Sequence, residues 1–166
     1  MENITLIGMA ASGKSTLGKL LAKELDLEFV DGDVEIEKRG RMINDILNKE
    51  GDDAFMLVEE QVLCELDGNK KLFAPGGSCI LSKKAMQHLK KISKIVFVDV
   101  PFEIIEKRFD KNRMNIIVGL KGNTLKQVYD YRKPIYARYA DVTVTIDGHG
   151  VTESVQLILE KIYKGI

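Results

Sequence analysis

The sequence predicts an α/β fold built on a parallel sheet, and three observations carry that expectation. Short β-branched, apolar runs alternate with segments of helical periodicity along the chain. The clearest run, Ile95 to Val100, is almost continuously apolar rather than alternating, as in a strand buried on both faces. A glycine-rich loop joins the first run to the first helical segment, the usual setting of a phosphate-binding loop.

The elements follow in order. Ile4 to Ile7 is the first strand, and Leu17, Leu20, Leu21 and Leu25 mark a helix from about Lys14 to Leu25. Glu28 to Val30 is a short second strand, after which Asp33 reads as a helix N-cap with Glu35 and Glu37 near the dipole. A long helix from about Asp53 to Leu66 is expected to bury Phe55, Val58, Val62 and Leu66. Lys71 to Ala74 is the third strand, and Ile95 to Val100 is the clearest of all. Pro101 suits a first helical turn. Thr124 is placed to cap a helix carrying Leu125, Val128, Arg132, Ile135 and Tyr139. Val142 to Ile146 is the last strand, and Val151, Val155, Ile158, Leu159 and Ile162 share one face of a C-terminal helix.

A length of 166 residues suits one domain, spanning 1–166, with no internal repeat. Apolar residues make up 45%, enough for a sizeable core, and the 25 basic residues balance 25 acidic ones. That balance points to no nucleic-acid partner; the lysines at 83, 84, 90, 91 and 94 read as a solvated face. Two cysteines make no disulfide framework and suit reduced thiols in the cytoplasm. No run approaches a membrane span, and a strand starting at residue 4 leaves no room for a signal peptide.

The chemistry starts at Gly8-Met9-Ala10-Ala11-Ser12-Gly13-Lys14-Ser15-Thr16, which is G-x-x-x-x-G-K-[ST]. Glycines let the backbone wrap an oxyanion, and the helix opening at Lys14 aims its positive end there. Lys14 can reach the β- and γ-phosphates, and Ser15 can ligate Mg²⁺. In an open α/β sheet, ligands bind beyond the carboxyl ends of the strands. That selects Asp31-Gly32-Asp33, Pro75 to Ser78, and the segment after Asp99. Of two carboxylates so spaced, one can serve the metal and the other can orient an attacking hydroxyl. Gly76 and Gly77 can bring bare backbone to a ligand, although a simple turn explains them equally well. Asp99 is discounted as a metal ligand, because Asp31 offers an alternative and Asp99 makes sense as a strand exit. His88 and His149 have no partner spacing for a metal or a triad. Asp110 to Asn123, with Lys111, Arg113 and Lys121, reads as a mobile lid bringing a cation over the phosphates.

Together these pieces resemble the shikimate kinase family over nearly the whole chain. The likeness rests on Gly8 to Thr16, Asp31-x-Asp33, Phe55 with Glu59, Gly76-Gly77, Val98 to Pro101, Arg113, and Arg132 with Pro134 and Tyr136. It implies a three-layer α/β/α P-loop kinase fold with a five-stranded parallel sheet of order 2-3-1-4-5 and a lid at about 110–123. It also implies a monomer using ATP with Mg²⁺ to phosphorylate a small hydroxyl acceptor, namely a ring acid such as shikimate. Carried over by position, the resemblance implies nucleotide contacts at Gly8, Ala11, Ser12, Gly13, Lys14, Ser15 and Thr16, with Arg108 near the adenine. Ser15 and Asp31 serve the metal, and Lys14, Asp33 and Arg113 the reaction. Asp33, Gly76, Gly77 and Arg132 hold the substrate, with Arg132 on its carboxylate.

The chain departs from the family pattern at Met56, Ser78 and Met114. The family carries at position 56 an arginine that helps bind the carboxylate. Methionine cannot fork a carboxylate. Another small hydroxy acid or hydroxy amino acid is therefore the alternative acceptor. A nucleotide-binding module without catalysis is a further alternative, which Asp33, Arg113 and Arg132 disfavour. A guanine-reading switch is disfavoured: the nearest N-K-x-D string, Asn69 to Leu72, lacks its aspartate.

Overall fold

The computed structural model describes residues 3–109 and 117–164. Five parallel strands form its sheet: β1 Asn3–Ile7, β2 Glu28–Asp31, β3 Lys71–Ala74, β4 Ser93–Asp99 and β5 Val142–Thr145. Their spatial order is β2-β3-β1-β4-β5, the order the resemblance implied. β1 is central; it registers Thr5 beside Phe73 of β3 and beside Ile95 of β4. Every residue of β1 is buried, as in a strand covered on both faces. Even Thr5 is buried, its hydroxyl satisfied by Ser93 Oγ at 2.6 Å.

The helices are α1 Lys14–Glu24, α2 Gly32–Glu37, α3 Ile43–Lys49, α4 Asp52–Glu65, α5 Lys83–Ile92, α6 Phe102–Arg108, α7 Leu125–Tyr139 and α8 Val151–Lys164. A short 3₁₀ turn, Cys79–Leu81, follows β3. One large core runs along the sheet. A second, smaller cluster joins Ile36, Ile46, Leu47, Phe55, Val62 and Val118 beneath α2, α3 and α4. This satellite fixes α2, α3 and α4 against one another.

Two details differ from the sequence reading. The N-cap of α2 is Asp31, not Asp33: Asp31 Oδ1 accepts the backbone N–H of Asp33 at 3.0 Å. α4 buries Phe55, Glu59, Val62 and Leu63, leaving Val58 and Leu66 only half-buried. The helix is thus turned so that a glutamate lies within its inward stripe. The lysines at 83, 84, 90 and 91 are exposed, as a solvated face requires. No helix among the described residues is long and apolar enough to cross a membrane.

Thr124 caps α7 as expected. Its hydroxyl accepts from Gln127 N, and Gln127 Oε1 accepts from Thr124 N, closing a capping box. Thr124→Ala is expected to lower unfolding stability by about 1 kcal/mol in urea titration. A loss no larger than the error would show that tertiary packing alone holds the start of α7.

Candidate active site

The loop after β1 bends into α1 through left-handed backbone at Ala11 (φ 62°) and Gly13 (φ 90°). Such alternation turns successive N–H groups toward one concavity, an anion-binding arrangement. Lys14 is buried within it. Its ammonium donates to Gly8 O and Met9 O, both at 2.9 Å, and more weakly to Ser12 Oγ at 3.5 Å. Burial lowers the Lys14 pKa, while Cys79, Asp33 and Asp31 oppose that shift.

At the end of β2, Ser15 Oγ donates to Asp31 Oδ2 at 3.0 Å. A hydroxyl and a carboxylate meeting beside a phosphate loop are the hard oxygen donors that magnesium takes. Asp33 stands two residues further, its side chain exposed to the cavity. Desolvation by the surrounding protein, then the neighbouring Asp31 carboxylate, raise its pKa.

The loop after β3 packs directly on the phosphate loop. A Cβ on Gly77 would lie 3.1 Å from Ala10 N and 3.3 Å from Tyr136 Oη. Tyr136 donates to Gly77 O and stacks on Phe97 of β4, which braces this loop from behind. Beside it, Ser78 Oγ donates to Glu59 Oε2 at 2.6 Å.

Arg132 is only 2% exposed, which is unusual for a helix arginine. It donates to Val118 O at 2.6 Å while facing the same cavity as Lys14 and Asp33. Thus the second half of the expected lid is held in place. Ile117, Val118 and Leu120 are buried, and Gly119 N–H donates to Asp52 Oδ2 at 2.7 Å. Arg113, Met114 and Lys111 lie outside the described residues.

The cavity at this sheet edge measures about 740 Å³. Lys14, Ser15, Asp31, Asp33, Arg108 and Arg132 all line it, together with Gly76 and Gly77. Arg108 Nη1 comes within 3.9 Å of a Cβ placed on Gly13, so its guanidinium covers the start of α1. Asp99 is apart from this group, its Oδ1 2.8 Å from the Lys133 ammonium. Behind Ser78 lies a buried glutamate, Glu59, which residue-by-residue reading did not single out. Its signal was available: a charge at the i+4 position from Phe55, inside an apolar helical stripe.

A phosphate loop, a β2-end carboxylate pair and a buried arginine around one cavity are the arrangement of a P-loop kinase. The sequence model of the family described as shikimate kinase matches residues 10–163. A shikimate kinase from Persephonella marina is 34% identical over 98% of this chain and 99% of its own length. Another, from Francisella tularensis subsp. novicida, is 38% identical over 95% of this chain and 92% of its own. The structure of shikimate kinase from Acinetobacter baumannii in complex with shikimate superposes with a TM-score of 0.88 at 30% identity. It covers 99% of this chain and 94% of that one. The chain belongs to the shikimate kinase family.

Proposed function

We propose that this protein transfers the γ-phosphoryl group of ATP to a ring hydroxyl of shikimate, giving 3-phosphoshikimate. The observation that carries the reading is the shared cavity, which holds Lys14 of the phosphate loop together with Asp33 and the buried Arg132. A cation buried opposite a carboxylate suits an acceptor that is both acid and alcohol. Arg132 grips the acceptor carboxylate, with its fork already oriented by Val118 O. Asp33 accepts the proton of the attacking hydroxyl and aligns that oxygen for in-line transfer. Lys14 leaves its loop carbonyls to neutralise the phosphate oxygens. Arg108 covers the nucleotide side, and Arg113 comes down from the lid. Ser15 and Asp31 would hold Mg²⁺, which supplies charge neutralisation at the phosphates when bound.

The reading is of a monomer, as the resemblance implies. The free thiols of Cys64 and Cys79 suit the cytoplasm. An ADP-release assay with shikimate beside a panel of hydroxy acids, hydroxy amino acids and polyols tests the acceptor. Shikimate is expected to give the highest kcat/KM; a hydroxy amino acid ahead of it would overturn the assignment.

A specific observation favours keeping that second class in the panel. Met56 sits half-buried against the Phe55 cluster, leaving Arg132 the buried guanidinium of the pocket among the described residues. Met56→Arg is expected to lower the KM for shikimate by about tenfold, since a charged hydrogen bond is worth roughly 1.5–3 kcal/mol. An unchanged KM would mean that the carboxylate lies elsewhere.

A further inference from the structure

The peptide group that joins Val118 to Gly119 is held from two sides by opposite charges. Its carbonyl accepts from Arg132 Nη2 at 2.6 Å, and its N–H donates to Asp52 Oδ2 at 2.7 Å. The oxygen and the hydrogen of a trans peptide point to opposite sides of the C–N bond, so the guanidinium and the carboxylate approach from opposite directions. The peptide dipole suits both, its negative end on the cation and its positive end on the anion. Each bond is charge-assisted, and each polarises the peptide in the sense that strengthens the other.

This peptide belongs to a thin wall. Val118 and Arg132 line the cavity of about 740 Å³ and also a second cavity of about 350 Å³. Gly119 lines the second one, with Leu81, Val128 and Tyr131. A guanidinium between two open spaces is not aimed by packing alone. The Val118 side chain is anchored in the Phe55 cluster, but Gly119, at φ 82°, has no side chain to fix the plane of the peptide between them. Hydrogen bonds must set that plane. Helix α4 therefore grips the wall twice, through Phe55 and, in its first turn, through Asp52. Asp52 itself lines neither cavity.

We propose that Asp52 is a positioning residue for Arg132: by holding the Gly119 N–H it fixes the Val118 carbonyl, which aims the guanidinium at the acceptor carboxylate. The inference rests on the acceptor role given to Arg132 above. Asp52 acts from outside the pocket and through one peptide group, without touching the acceptor. A first-turn acid also stabilises its helix through the dipole, a task that the exposed Asp53 shares. The bond to Gly119 is what Asp52 adds.

The test compares the KM for shikimate with the KM for ATP. Asp52→Ala is expected to raise the shikimate KM by about 3- to 30-fold, the range for residues that act on a site without touching its ligand, while kcat and the ATP KM hold. Asp52→Asn keeps an acceptor oxygen for the Gly119 N–H and recovers most of the loss. Asp53→Ala removes the neighbouring first-turn acid and leaves the shikimate KM unchanged. An unchanged shikimate KM in Asp52→Ala, an equal rise in Asp53→Ala, or a matching rise for ATP overturns the proposal and leaves Asp52 a helix-end charge. NMR of the unsubstituted protein gives a second reading that needs no variant to fold. The Gly119 amide is expected to exchange slowly with solvent and to shift saturably as shikimate is added without ATP. Fast exchange at Gly119 in a protein that turns over shikimate sinks this proposal alone. A protected Gly119 amide without binding or turnover of shikimate sinks the substrate reading and, with it, the aiming of Arg132 at that acceptor.

Discussion

Replacing Lys14 with methionine is expected to cut kcat by at least about 10²- to 10³-fold, the usual cost of removing one preorganised charge donor from a transition state. The ammonium is the buried cation of the phosphate loop, held by Gly8 O and Met9 O until phosphate oxygens compete for it. Methionine keeps most of the volume, so packing against the loop survives while the charge is lost. The substitution also leaves Gly8 O without the Lys14 donor, whereas Met9 O keeps the Ser12 N–H, and an unsatisfied carbonyl costs stability of the order of 1–3 kcal/mol. Thermal unfolding measured beside turnover separates the two effects. A folded Lys14→Met protein with near-normal kcat would remove Lys14 from the chemistry.

Asp33→Asn is expected to lower kcat by about 10²- to 10⁴-fold while changing the KM for ATP little, as befits a base acting on the acceptor hydroxyl. Asparagine preserves shape and can still accept a hydrogen bond at its oxygen, but it cannot take a proton. The carboxylate is not engaged in capping, because Asp31 performs that task for α2. Asp33 is thus free to meet a ligand, its exposed side chain lining the cavity. An equal fall in kcat and in ATP affinity would move Asp33 to the nucleotide side of the cavity.

Much of the fold was legible because local signals agreed with one another. The largely apolar runs at 4–7 and 95–98 lie in the two strands at the heart of the sheet. The Thr124 cap was readable from the residues that follow it, and its capping box is present. The strand order was not readable from periodicity; it came from the likeness of motifs spread along the chain. The phase of α4 was misjudged because Val58 and Leu66 look more suited to a core than Glu59 does. The satellite cluster around Phe55 turns the helix, and Ser78 satisfies one of the carboxyl oxygens that is buried as a result.

The nucleotide half of the site was similarly plain, since its spacing has a mechanical reason that survives in any context. The acceptor half depended on tertiary placement. A helix arginine reads as a surface charge until Val118 and the cavity wall enclose Arg132. Gly76 reads as a turn residue until two carboxyl oxygens are found facing the space its side chain would fill. Such groups acquire meaning only when strands distant in sequence end side by side.

The most direct measurement is phosphorus NMR of the protein incubated with ATP, Mg²⁺ and shikimate. Transfer to a ring hydroxyl predicts a phosphomonoester resonance that grows in step with loss of the ATP γ-phosphate signal. Appearance of ADP with inorganic phosphate alone, at the same rate with or without shikimate, would contradict it.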